Sequence, residues 1–465
     1  MSVAADRRSP NTFLIYGVSA AIIGAWWGAL WALGIDVEGD GRALLVVVAV
    51  LVLAVAMVRD PAGMLCLVVF SLPFSLGILQ IEVGEVTLNP FTIGITLAAL
   101  VAIFAIAFQI VRVRFAADDI LVVLLAGSFL LSTLLAADVM AAGFLAFHGV
   151  FIPVMTYFAL RILVRTPDFY RKVIVSYVAG VTAFALYGLA TFIENPQRLY
   201  VLNVPPISAA AMMTGALIVV GYSGWWRRTL GLVAGLVLLA GLAATFSRGY
   251  LLLLLLTPFV FGYIRRGGAG RLMTTMLAAS LLGTLLFVQS YEMFYVEVEN
   301  REQEQTAERM TQVEFWLSSL YGRAKYYAVG LEQFTHSPIV GNGFHENFVT
   351  EESRAVVWHN FHVEWLEYGG ILAYLLYASV LITHFRSIAR LARAHRAAAV
   401  NLTIVFTILV NGLTNSFTAG LSPVLGFLFL ALNRSFAGFG PAQREEEGPA
   451  ANAGSQGRRL ITPTR

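Results

Sequence analysis

The sequence predicts an all-α integral membrane protein of about 12–14 transmembrane helices, with one large outer loop that contains amphipathic helices. Three observations carry that prediction: a charge-poor composition, a succession of apolar runs of spanning length, and a one-sided distribution of basic residues. Of 465 residues, 58% are hydrophobic and only 13% charged. A soluble domain carries about 25% charged residues. Mean hydropathy is +0.75. These figures exclude an ordinary cytosolic enzyme, a disordered regulator and a nucleic-acid partner. The single cysteine, Cys66, lies in an apolar run, which excludes an intrachain disulfide and a cysteine metal cluster.

A helix needs about 20 apolar residues to cross the hydrocarbon core. Runs of that kind lie near 11–34, 43–58, 62–80, 91–111, 118–136, 143–163, 172–193, 206–223, 229–246, 249–264 and 271–289. Three more follow near 365–385, 398–417 and 420–436. They are continuous rather than alternating, which excludes a closed barrel. The first is too long for a cleaved signal peptide and no small-residue cleavage site follows it. The chain thus divides into transmembrane helices over 1–289, a loop over 290–363, further transmembrane helices over 364–436, and a tail over 437–465. The tail is rich in Gly, Ala, Pro and Arg, a composition that favours disorder.

Basic residues accumulate on the cytoplasmic side of membrane proteins. With the amino terminus inside and strict alternation, the outer side receives only Arg42, Arg198, Arg248, Arg301, Arg309, Arg323, Lys325 and Arg354. Every other basic residue falls inside, and both termini are cytoplasmic. The outer loop is long, and such loops are usually functional. Within it Val313, Trp316, Leu317, Leu320, Ala324, Tyr327, Ala328 and Leu331 recur at helical spacing, with Arg323, Tyr326 and Gln333 on the other face. That pattern predicts an amphipathic helix at the membrane surface. It ends at THSPIVGNG, where Pro338, Gly341 and Gly343 enforce turns. The stretch WHNFHVEWLEY then leads into the next span. It is expected to set His359, His362 and Glu364 at the outer mouth of a helix, close to headgroups.

Arginine forks suit phosphate oxygens and keep their charge. Histidine suits proton transfer near neutral pH. The outer arginines Arg323, Arg248 and Arg198, near one histidine, are therefore a kit for displacing a pyrophosphate from a lipid-linked substrate. Plainer readings stand beside each. Arg248 could snorkel to headgroups, and Arg323 could be a solvated charge. His362, His336 and His345 read more naturally as structural, and His148 as packed or interfacial. His384 and His395, among cytoplasmic arginines, are expected to contact headgroups. A metal site finds little support, because His359 and His362 have no HExxH context and no third ligand. No glycine-rich phosphate loop with lysine is present, the only lysines being Lys172 and Lys325.

The stretches GRAKYYAVGLEQFTHSPIVGNGF and HNFHVEWLEYGGILAYLLY resemble the signature region of the O-antigen ligase and O-antigen polymerase superfamily. The features that match are Arg323 on the loop helix, the Pro338–Gly341–Gly343 turn, His359–Asn360 ahead of Gly369 and Gly370, and the Ser247–Arg248–Gly249 turn. The resemblance implies metal-independent, cofactor-free, inverting glycosyl transfer at the periplasmic face of a bacterial inner membrane. Its donor is a glycan on undecaprenyl pyrophosphate. The acceptor is lipid A-core for a ligase, or another lipid-linked repeat unit for a polymerase, which a chain-length regulator can accompany. In that frame His359 is the general base, Arg323 and Arg248 hold the pyrophosphate, and Arg198 is a third contact. Asn360, Glu364 and His362 support them. The loop is more acidic than basic, so its carboxylates must face away from the phosphates or bind the acceptor. Polymerase is slightly favoured, with ligase as the alternative.

A multi-span transporter is the competing class, and a non-catalytic scaffold a third. Ion-coupled transporters place acidic groups near the midplane. Here Asp118, Asp119, Glu194, Glu364 and Glu367 are all expected at span ends.

Overall fold

A computed structural model of the chain describes residues 53–75, 81–83, 86–194, 204–291, 327–344, 360–413 and 421–439. Nearly all of it is helical. A helical stretch over 53–59 leads to α1 (Pro61–Ser71), whose cap is Asp60 accepting from the Gly63 amide at 2.9 Å. A small antiparallel hairpin follows, β1 (Ile81–Val83) and β2 (Val86–Leu88), with Ile81 opposite Leu88. It is the one departure from an all-α chain among the described residues. Next come α2 (Pro90–Ala107), α3 (Ala117–Leu134), α4 (Val139–Ala146), α5 (Ile152–Leu163) and α6 (Pro167–Glu194). A π turn over Phe147–Phe151 joins α4 to α5, making one apolar helix of 25 residues.

The chain continues through α7 (Pro206–Tyr222), α8 (Thr229–Ala244), α9 (Arg248–Tyr263) and α10 (Ala269–Tyr291). Arg248–Gln289 runs as 42 nominally helical residues. That length is about 63 Å, twice the hydrocarbon thickness. Gly267, at φ +87°, breaks it into two helices, α9 and α10. A loop helix over 327–336, here α11, precedes α12 (Phe361–Ala394), α13 (Arg396–Asn411) and α14 (Ser422–Gly438). Among the described residues six helical stretches, Arg248–Gln289 taken as one, are long and apolar enough to cross a membrane, and four shorter apolar helices accompany them.

The most enclosed elements are α13 and α14, whose side chains are buried almost throughout. Around them pack α5, α7, α9 and α12. Leucines and phenylalanines on α8, α9 and α10 point outward. In lipid such exposure carries no hydrophobic penalty. The helices alternate in direction, so the bundle has two ends. Every described lysine and arginine except Arg248 gathers at one end, in the turns around residues 59, 112, 165, 227, 265 and 395 and at Arg434 near the end of α14.

That arginine-rich end contains buried charge. Asp118 and Asp119, in the first turn of α3, have no exposed surface. Asp118 Oδ2 meets Nδ1 of His384 on α12 at 2.8 Å and accepts from Nε of Arg434 on α14. Arg434 Nη2 also donates to Ser387 Oγ at 2.7 Å. Asp119 accepts from Tyr157 OH at 2.6 Å and from the Ala116 amide at 2.7 Å, with Arg161 Nε 3.6 Å away. Burying a carboxylate is tolerable only when a cation and hydrogen bonds replace water, and both are present. His384 is therefore not the headgroup contact expected from its neighbours in sequence. Its ring is drawn inward by an aspartate 266 residues earlier in the chain.

Candidate functional site

The other end of α12 is broken. Gly370 sits at φ +65°, ψ −173°, a conformation closed to a residue with a Cβ. A break there frees four backbone groups: the carbonyls of Glu367 and Tyr368, and the amides of Ile371 and Leu372. Water is absent from the hydrocarbon, so each needs a partner in the protein. The turn after α11 supplies all four. Ile371 N donates to Pro338 O at 2.9 Å and Leu372 N to Ile339 O at 3.2 Å. In return Asn342 N donates to Glu367 O at 2.9 Å and Gly343 N to Tyr368 O at 3.1 Å. Ser132 Oγ on α3 adds a second bond to Tyr368 O at 2.5 Å. The P-x-x-G-x-G pattern thus acquires a local purpose: a Cβ on Gly341 would lie 2.4 Å from Tyr368 O.

An aromatic stack backs the short segment Phe361–Gly369. Trp365 lies on Tyr377 at 3.9 Å, with Phe129 edge-on to Trp365 at 5.0 Å. Phe344 stacks on Tyr368 at 4.7 Å. The start of the segment is set by Asn360, whose Oδ1 caps the helix by accepting from the amides of His362 at 2.9 Å and Val363 at 3.4 Å. Its Nδ2 donates to Thr284 Oγ1 on α10 at 3.0 Å and to Leu413 O at 3.1 Å. All its hydrogen-bonding capacity is committed, so Asn360 positions rather than reacts.

Leu413 O is a meeting point. Tyr327 OH on α11 donates to the same oxygen at 3.3 Å, and Phe361 N donates to Gly412 O at 2.9 Å. Just before it, at the end of α13, Asn411 lies against the turn that carries Arg248: a Cβ on Gly249 would sit 2.9 Å from Asn411 Oδ1. Ser247, preceding Arg248, donates to Pro206 O at 3.4 Å. Residues 206, 247–249, 284, 327, 360–361 and 411–413 therefore share one end of the bundle.

Of the residues expected to form the site, Arg248 and Asn360 come to this point. His362 and Glu364 do not face headgroups as expected; both are fully buried. The His362 ring joins Tyr374 OH at 2.8 Å through Nδ1 and Ser280 Oγ at 2.7 Å through Nε2. Both nitrogens are used, which makes it a structural histidine bridging α10 and α12. Glu367 is buried too, its Oε1 accepting from Asn342 Nδ2 at 3.3 Å. The expectation that Asp118, Asp119, Glu194, Glu364 and Glu367 lie at helix ends holds for the aspartates, in the first turn of α3, for Glu194, the last residue of α6, and for Glu364, in the first turn of α12, but all except Glu194 are enclosed. His336 is exposed, beside Gln333 Oε1 at 3.1 Å. His359, Arg323, Arg198 and His345 lie outside the described residues. His359 directly precedes Asn360, and Arg323 lies four residues before Tyr327 in sequence.

Sequence reasoning missed Ser280, Thr284, Tyr374, Asn342 and the Asn411–Leu413 segment. Ser280 and Thr284, four apart in an apolar run, carried a signal: polar groups on one face of a span need a polar partner. The Leu413 carbonyl carried none, since any residue offers one. Among the described residues, no group of three histidine, cysteine or acidic side chains is placed to hold a metal ion. The sequence matches no protein-family model and no curated protein.

Proposed function

We propose that the arginine-poor end houses a glycosyltransferase site at the periplasmic face of a bacterial inner membrane. The donor is a glycan on undecaprenyl pyrophosphate and the acceptor a sugar hydroxyl. His359 takes the acceptor's proton as its oxygen attacks the anomeric carbon. The bond from that carbon to the pyrophosphate breaks with inversion, and Arg323, Arg248 and Arg198 hold the departing phosphates. The supporting observation is the convergence on the Asn411–Leu413 segment: the residue after His359, the tyrosine four residues after Arg323 in sequence, and the turn bearing Arg248 all reach it. The single described cation at this end agrees with an outer face. Polymerisation of repeat units is the reaction favoured, and joining to lipid A-core the alternative.

The test is transfer by purified protein in lipid nanodiscs, given the lipid-linked glycan and either acceptor. His359→Ala is expected to lower the rate about 10²-fold or more, and Arg248→Ala and Arg323→Ala about 10²–10³-fold. An unchanged rate in His359→Ala removes its assigned role. One observation favours a second reading, a transporter: α12 is interrupted beside buried Glu364 and Glu367, and transporters bind substrates at interrupted helices. Uptake into liposomes without glycosyl transfer would select it.

A further inference from the structure

The arginines of the arginine-rich end fall into two kinds. Arg161 and Arg434 face aspartates. A second group surrounds the turn between α9 and α10 and has no carboxylate partner among the described residues. Arg265, in that turn, donates to Ala392 O at 3.1 Å. Arg393 lies across the turn so closely that a Cβ on Gly267 would fall 2.1 Å from its Nη2. The aliphatic stem of Arg386 packs on Gly270, its Cγ 2.6 Å from where a Cβ would lie. Arg396 opens α13 within electrostatic reach of Arg227 and Arg265, and the Arg227 guanidinium sits 5.5 Å above the Trp226 ring. The missing Cβ of Gly267 thus admits the Arg393 guanidinium to the turn that carries Arg265, with Arg396 close by. Like charges so gathered repel unless an anion joins them.

The neighbouring surface says which anion. Directly before the turn, Leu252, Leu255, Phe259 and Tyr263 are exposed along one face of α9. A soluble phosphate or a nucleic acid has no use for that stripe, whereas acyl chains do. The half-exposed Trp226 suits the headgroup level. We propose that the Arg265–Arg393–Arg396 cluster binds the phosphate of an anionic phospholipid whose acyl chains lie along the exposed face of α9. Guanidinium forks donate in pairs to phosphate oxygens, and basic pockets at helix ends on the cytoplasmic side are known to bind acidic headgroups. The proposal is independent of the transfer reaction.

The full-length protein is reconstituted in nanodiscs of phosphatidylglycerol and phosphatidylcholine, and the lipid retained after detergent extraction is measured by native mass spectrometry. Preferential retention of phosphatidylglycerol is expected. The combined R265Q, R393Q and R396Q variant should lose about tenfold of that preference. The combined R112Q, R114Q and R171Q variant removes as much charge from the same end and should keep it. The parent protein alone also decides the matter if the variant fails to fold. Equal retention of both lipids, equal loss in both variants, or displacement of phosphatidylglycerol by inorganic phosphate alone would overturn the proposal.

Discussion

The two ends of α12 are held by opposite means. At Gly370 the contacts are largely backbone to backbone, with the Pro338–Gly343 turn exchanging four hydrogen bonds with the broken helix and Asn342 Nδ2 donating to Glu367 Oε1. At His384 they are charged side chains, with Asp118 set between an imidazole and a guanidinium. The difference follows from what each segment must satisfy. A break in a helix frees dipoles, and another stretch of backbone complements them at little electrostatic cost. A buried carboxylate requires a cation, because its desolvation exceeds what neutral donors return. The contrast also separates roles. The arginine-rich end consumes part of its charge internally. At the opposite end the one lysine or arginine among the described residues is Arg248, in the turn that lies against Asn411.

The largest expected effect strikes the charged end. Asp118→Ala strands Arg434 and His384 and should cost about 3–5 kcal/mol in unfolding free energy. A loss below about 1 kcal/mol, the size of an exposed pair, would show that water already reaches the cluster. Gly370→Ala comes next: backbone strain of about 1–3 kcal/mol is joined by a contact at 2.4 Å with Ile339 O. Proteolysis near residue 340 should accelerate in that variant. Gly426→Ala, where an added Cβ meets nothing within 4 Å, should change stability by no more than about 0.5 kcal/mol. If the two glycine variants behave alike, the backbone exchange does not hold the break.

Asn360→Ala removes a cap and two donor bonds and should cost about 1–2 kcal/mol. Transfer should fall with it, because the start of α12 is no longer tied to Thr284 and Leu413. Ser132→Ala deletes one of two bonds to Tyr368 O and should cost only about 1 kcal/mol, leaving transfer intact. An effect of Ser132→Ala on transfer larger than that of Asn360→Ala would place the functional centre at the break rather than at the cap.

Much of this was legible in the chain. Apolar runs located the helices, and the glycines at 341, 343 and 370 marked places where side chains could not fit. Proline and glycine announce a turn, however, and not the strand of backbone that the turn serves. The pairing of residues 338–343 with 367–372 was hidden for that reason. Asp118 and Asp119 looked like interfacial charges because they follow basic residues at a span end. Burial depends on helices met only later in the chain, and His384 was read by its neighbours for the same reason. His362 carried two readings, a structural histidine and a support of the site, and its partners, Ser280 and Tyr374, required the packing of α10 on α12.

The central claim is that the phosphate-bearing head of a lipid-linked glycan is held where Arg248, Tyr327 and Asn360 gather around Asn411–Leu413. The direct test is photolabelling with an undecaprenyl-pyrophosphate glycan that carries a diazirine on its first isoprene unit, followed by peptide mapping. Adducts are expected on peptides spanning 247–250, 327–333 and 411–413, and they should vanish with excess unlabelled donor. Adducts confined to the arginine-rich turns at 265–271 and 386–396 would contradict the account.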